Sequence, residues 1–486
     1  MGTVKRVSGR AAVTYPVSSH HGSGATRASG PDLVRRLGPL DGASIIVSNV
    51  IGSGIFLVPA LIAVWIPDVW LMLIAWFVGG LLAFAGAMAY AELATLHPRA
   101  GGEYVYLREA FGPTAGFLSG WTSFVAGFSG AIAAGAVGFA SFLGRLVPFA
   151  GDTKHLFSVS LWVLTLAVTP QTLVALTVIA VLTIIHVIGV GPGRIVQNLL
   201  AGVKVLILVI LVVLGFSVGD GAIEHFLLPS LSVAPTMWLL ALIPIMFSFS
   251  GWNAATYVAE EIRDPARNVP LAMVLGTAAV VVIYLLLNLL YVYAIPLVEI
   301  GQLETRVVDE VAGRLFGSGF SGLLAAASAV MIGASLSAMI LAGPRVYYAM
   351  ARDGLFFAAA GRVHPRLRTP VTAIIAQSIW SGILVLAGTF EQLLLYTGFA
   401  LVMFTGAAVL ALFVLRRRDP HASRPFRAWG YPVAPAIFVI ASAAMVVNFI
   451  WREPVASGVG LLLIGSGVPL YWIVRGMFAD VGERVR

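Results

Sequence analysis

The stretch "IIVSNVIGSGIFLVP", residues 45–59, is strongly apolar, yet two glycines and a serine interrupt its middle. In a bilayer an unwound helix is tolerated only where protein or a water-filled cavity satisfies the freed backbone groups. Gly52 and Gly54 permit conformations that other residues resist. A break at "IGSGIF" (residues 51–56) exposes N–H groups at the start of the following half-helix, whose dipole favours an anion such as a carboxylate. Carbonyls that end the preceding half can accept from an ammonium.

The rest of the chain supports a bilayer as the solvent. Of its 486 residues 59% are hydrophobic and only 11% charged, and the mean hydropathy is +0.95, far above that of soluble domains. The apolar residues form long blocks, and crossing a hydrocarbon core of about 30 Å takes ~20 helical residues. Twelve spans are expected, at 41–64, 70–96, 113–147, 172–189, 194–218, 235–261, 268–296, 320–351, 370–388, 392–415, 432–451 and 455–475. The blocks lack the apolar and polar alternation of a membrane barrel, so the fold class is an all-α polytopic bundle.

Charge sets the expected orientation. Arginines and lysines crowd before span one and after spans eight and ten, including Arg352, Arg362, Arg416, Arg417 and Arg418, while acids such as Asp220, Glu299 and Asp309 fall in the opposite connections. Both termini are therefore expected in the cytoplasm. The same asymmetry accounts for the net charge of +8, which gives no reason to expect nucleic acid. With no cysteine, the chain cannot join a partner subunit by a disulfide. Residues 1–30, rich in Ser, Gly and Arg, read as a disordered tail, and the apolar stretch from His155 as an external helix or strand too short to cross.

Span six repeats the interruption of span one. In "FSFSGWNAATYVAEE" (residues 247–261), Ser248, Ser250 and Gly251 break the apolar run roughly 200 residues after the first break. Paired interruptions in corresponding spans of two halves point to a transporter site at the midplane. Glycine-rich runs elsewhere, such as "GFSGAIAAGAVGFA" (residues 127–140), read as packing faces.

Five motifs in this order resemble the amino acid, polyamine and organocation (APC) transporter superfamily, most closely its L-type amino acid transporter branch. They are "IGSGIF" at 51–56, "YAELATLHPRAGGEYVYLREAFG" at 90–112, "GWNAATYVAEEIRDPARNVPLAM" at 251–273, "GPRVYYAMARDGL" at 343–355 and "RPFRAWGYPVAPA" at 424–436. The resemblance implies a LeuT-type 5+5 inverted repeat with discontinuous spans one and six. Residues 1–37 would then be a cytoplasmic tail, 38–218 the first repeat, 235–416 the second, 431–476 two peripheral spans and 477–486 a second tail. It also implies that Ser53, Gly54 and Ile55 offer N–H groups to a substrate carboxylate. Val50 would offer its carbonyl to the amine, joined by carbonyls near Phe247, Ser248 and Ser250, with Phe247 closing over the substrate and Asn253 nearby.

Lys204 lies near the centre of span five, where burying an ammonium costs at least ~2.5–3.5 kcal/mol. It should face the interior and have partners. The resemblance implies an amine in the place of a sodium ion, with Ser335 and Ser337 of span eight as candidate partners; a desolvated lysine could instead carry a proton. Because no other charged side chain lies deep in a span, a neutral amino acid is the expected substrate. Neither an ATP-binding loop nor a metal-ligand spacing is visible, so no enzyme activity, cofactor or metal is expected. The expected function is alternating-access transport of neutral amino acids by a monomer in the plasma membrane of a bacterium. Exchange is favoured, proton-coupled symport is the alternative, and a non-transporting sensor the remote one.

Overall fold

The computed structural model describes residues 35–161, 164–188, 193–228, 232–303, 307–388 and 390–484. Of the tail expected at 1–37, residues 1–34 lie outside the described residues, and the last ones are held, with Leu37 bridged to Ile262 and the Arg36 N–H donating to the Glu261 carbonyl at 2.9 Å. Among the described residues the protein is mostly helical. Nine helices are long and apolar enough to cross a membrane, or ten when the bent pair Pro39–Val50 and Ser53–Trp65 is taken as one span. Two further apolar helices, Pro235–Ser248 and Val371–Ala387, are shorter and fall within the expected spans six and nine. The first is short because the expected second break ends it after 14 residues.

Helix starts follow local chemistry. Proline opens Pro39–Val50, Pro113–Thr122, Pro235–Ser248 and Pro265–Ala294, where its missing N–H costs no hydrogen bond. The Asp68 carboxylate caps Val69–Leu96 by accepting from the Leu71 N–H at 2.7 Å. Helix Pro265–Ala294 packs against both Val69–Leu96 and Pro39–Val50, and Ser318–Ala342 packs against Phe128–Leu143. These contacts bury the two broken helices at the centre, where Ile46, Ile51, Ile55 and Phe56 are fully enclosed.

The segment from His155 forms an antiparallel pair, Phe157–Leu161 with Leu164–Val168, in the register Phe157 opposite Val168. Of the helix and strand readings, the strand holds. The last helix, Gly467–Arg484, runs on through most of the stretch read as a second tail.

Acids at the arginine-rich end pair with arginines far along the chain. Fully buried Glu92 accepts from Arg416 through both oxygens, at 2.8 and 2.5 Å, and from the Ala428 N–H at 2.7 Å, with Arg424 at 3.4 Å. Arg345 pairs with Glu261 at 3.2 Å, and Arg108 with Asp353.

Candidate functional site at two broken helices

The first break leaves four consecutive carbonyls, Ser48 to Ile51, without helical partners, because a helix end always orphans its last carbonyls. Each is met by a buried side chain from another element. The Lys204 ammonium donates to the Ser48 carbonyl at 3.1 Å and to the Ile51 carbonyl at 2.9 Å. The Ser335 hydroxyl lies 2.8 Å from the Ser48 carbonyl and 3.2 Å from that of Asn49. The Tyr284 hydroxyl bridges the Val50 carbonyl, at 2.8 Å, and the Ser248 carbonyl of the second break, at 3.1 Å. The Lys204 amine thus sits at the negative end of the first half-helix, where the dipole favours a cation.

Ser335 and Ser337 were the partners expected for Lys204, but neither bonds it: Ser335 shares only the Ser48 carbonyl with the amine, and Ser337 turns elsewhere. Its hydroxyl pairs with His186 Nε2 at 2.8 Å rather than joining Lys204. The Lys204 partners are backbone carbonyls, because those are what the unwound segment leaves unsatisfied. Tyr284 was missed. The signal was a tyrosine in the apolar run "VVVIYLLLNLL" (residues 280–290), whose buried hydroxyl needs a partner. Tyr284→Phe strips both breaks of one donor, leaving the Val50 carbonyl without that bond. A loss of ~1–3 kcal/mol is expected, read as a lower melting temperature in detergent. An unchanged midpoint would mean that the bridge does not hold the breaks together.

Val50, Gly52, Ser53, Gly54, Phe247, Ser248, Ser250 and Ser335 line a small cavity of about 20 Å³ at the breaks. Ser53 and Gly54 begin helix Ser53–Trp65, whose first N–H groups have no carbonyl one turn back. Ile55, the third residue of that turn, is fully buried and its carbonyl accepts from Tyr291 at 3.4 Å. Oriented N–H donors on one side and lone pairs of the Val50 carbonyl on the other fit a zwitterion with a carboxylate and an ammonium.

A second cavity of about 70 Å³ adjoins the first, sharing Asn49, Ala131, Ser250 and Met339. Its wall includes Ser123 and Gly127 from a π-helical turn, Ser123–Gly127, a distortion that helices often carry at functional sites. Asn253 and Tyr257 follow the second break, and Asn253 donates to Glu103 Oε1 at 2.6 Å and to the Tyr257 hydroxyl at 3.0 Å.

Glu103 was also missed, because it lies on a connection rather than in a span. The motif "RAGGEY" (residues 99–104) brings it in. Gly102 holds φ +52, and a Cβ there would stand 2.6 Å from the Tyr257 ring, so glycine alone lets the chain pass this close to the second break. Helix Glu103–Phe111 then begins with its first side chain in the cavity wall.

An amino acid permease family model matches residues 37–478. The chain is 28% identical over 444 residues to the serine/threonine exchanger SteT of Bacillus subtilis (strain 168), covering 90% of this chain and 97% of that protein. It is 28% identical over 477 residues to the human large neutral amino acids transporter small subunit 2, covering 93% and 84%. To the human cystine/glutamate transporter it is 29% identical over 444 residues, covering 91% and 85%.

Proposed function

The chain belongs to the amino acid permease family, and from that premise we propose that it exchanges neutral L-amino acids across a membrane by alternating access. The observation that carries this reading is the meeting of two broken helices around one cavity, bridged by the Tyr284 hydroxyl. Oppositely polarised half-helix ends there suit the two charges that every amino acid shares.

In this reading Ser53, Gly54 and Ile55 bind the carboxylate through backbone N–H groups. The carbonyls of Val50, Ser248 and Ser250 bind the ammonium, and Phe247 closes over it. Lys204 stays charged on the Ser48 and Ile51 carbonyls and takes the place of a transported cation, with Ser335 beside it. This favours exchange over cation-driven uptake. The nine long helices, the bent pair and the two shorter apolar helices together support twelve crossings in a LeuT-type arrangement. The arginine-rich end faces the cytoplasm of a bacterium. Without cysteine the protein works free of any disulfide-linked subunit, as a monomer.

Uptake of labelled serine, alanine and leucine into proteoliposomes tests this, with and without internal amino acid and with an imposed proton gradient. Uptake that requires internal amino acid is expected. Gradient-driven uptake into empty vesicles would replace exchange by proton symport, and binding without any flux would make the protein a sensor.

A further inference from the structure

The smaller cavity offers groups that every amino acid engages, so discrimination between substrates must come from the larger cavity that continues it. There the one acid in the wall is Glu103, among cavity residues such as Ser119, Thr122, Ser123 and Thr397. Oε1 of Glu103 takes the hydrogen bonds from both Asn253, at 2.6 Å, and Tyr90, at 3.0 Å. Tyr257 adds a third hydrogen bond to the carboxyl, and a carboxylate, with about four lone-pair sites, can still accept one more. The Thr122 hydroxyl is buried and without a partner. A wall with acceptor capacity and an unpaired hydroxyl suits an incoming hydrogen-bond donor.

We infer that Glu103 forms the side-chain subsite of the transporter and favours amino acids whose short side chain donates a hydrogen bond, a hydroxyl or carboxamide, while repelling side chains that are carboxylates. The subsite rests on the exchange reading and sharpens it. About 70 Å³ holds several water-sized groups, which admits a serine, threonine or asparagine side chain. A hydrogen bond to a charged acceptor is roughly twice as strong as one between neutral groups. An aliphatic side chain of equal size would leave that acceptor desolvated and unpaired.

The groups facing Glu103 are uncharged. Helix Val69–Leu96 contributes Tyr90, the segment after the second break contributes Asn253 and Tyr257, and Tyr106 lies on its own helix. Burial pushes the Glu103 carboxyl up to about 7, against hydrogen bonds from Tyr90, Tyr257 and Asn253 that lower it. Above that pH the group is a carboxylate, and below it the charge that repels an acidic side chain is lost.

The test is counterflow into proteoliposomes loaded with unlabelled alanine, reading kcat/KM for labelled serine against alanine and for threonine against valine. The wild type is expected to prefer the hydroxylated member of each pair, and Glu103→Gln to lower both ratios about 5- to 10-fold, with Glu103→Asp keeping part of the preference. Competition by glutamate should strengthen several-fold from pH 8 to pH 6 in the wild type and stay flat in Glu103→Gln. A wild type with no preference overturns the subsite without any variant. So does a Glu103→Gln protein in which all rates fall in one proportion, since that is the mark of a group that only holds Asn253 and Tyr90 in place. Failure of the wild type to exchange any amino acid would instead sink the exchange reading.

Discussion

Lys204→Ala is expected to lower amino acid counterflow about 100-fold or more. The ammonium is the hydrogen-bond partner of the Ile51 carbonyl and shares that of Ser48 with Ser335. Deleting it leaves a buried carbonyl unpaired, which costs ~1–3 kcal/mol. It also removes a charge at a half-helix C-terminus, a term of up to ~2 kcal/mol in partly buried settings. Together these approach ~3 kcal/mol, and every 1.4 kcal/mol is a factor of about ten. The loss falls on the segment that shapes the cavity, so it should appear as lost exchange. Lys204→Arg separates the two roles a lysine could have there. A guanidinium cannot give up its proton, so some exchange should survive if the charge is fixed, and none if the group must titrate. Exchange by Lys204→Ala at the wild-type rate would remove the cation-surrogate role.

Gly54→Ala should be nearly as damaging, for a steric reason. A Cβ at Gly54 would lie 2.7 Å from Ser248 Cα and 2.8 Å from its hydroxyl, so the backbones of the two broken helices touch here. Overpacking a tight contact costs ~1–3 kcal/mol and pushes backbone apart. The parts forced apart are the first turn of helix Ser53–Trp65 and the second break, so a loss of exchange of at least ~10-fold is expected. Ser248→Gly should not rescue it, because the nearest atom is the Ser248 Cα, which glycine keeps. As a control, a Cβ at Gly202 meets nothing within 4 Å, and Gly202→Ala should exchange normally. Full exchange by Gly54→Ala would mean that the two helices are not held at this distance during transport.

What the sequence disclosed and what it hid divide along one line. Both breaks were legible, since glycine and serine inside an apolar run have few structural excuses, and Lys204 was legible because an ammonium in that run needs a partner. Which atoms serve as partners was not. Ser335 and Ser337 stand two residues apart on one helix, and only packing sends the first to the Ser48 carbonyl and the second to His186. Tyr284 looked like one more apolar-run tyrosine until the fold set it between the breaks. Glu103 was hidden by a sound rule, that substrate charges are read from spans, because a pair of glycines folds a connecting helix back into the cavity.

The pairing of Glu92 with Arg416 also constrains the order of synthesis. The two residues are 324 positions apart, and the Ala428 N–H lies 336 from the same carboxylate. A ribosome makes the acid first and its partners only after most of the helices have entered the bilayer. Until then the Glu92 carboxyl lacks every one of these partners, at the end of a helix that is otherwise ready to dock. A chain halted before residue 416 therefore lacks both arginines that meet this buried acid, so the packing of the second span is completed only by residues near the end of the sequence.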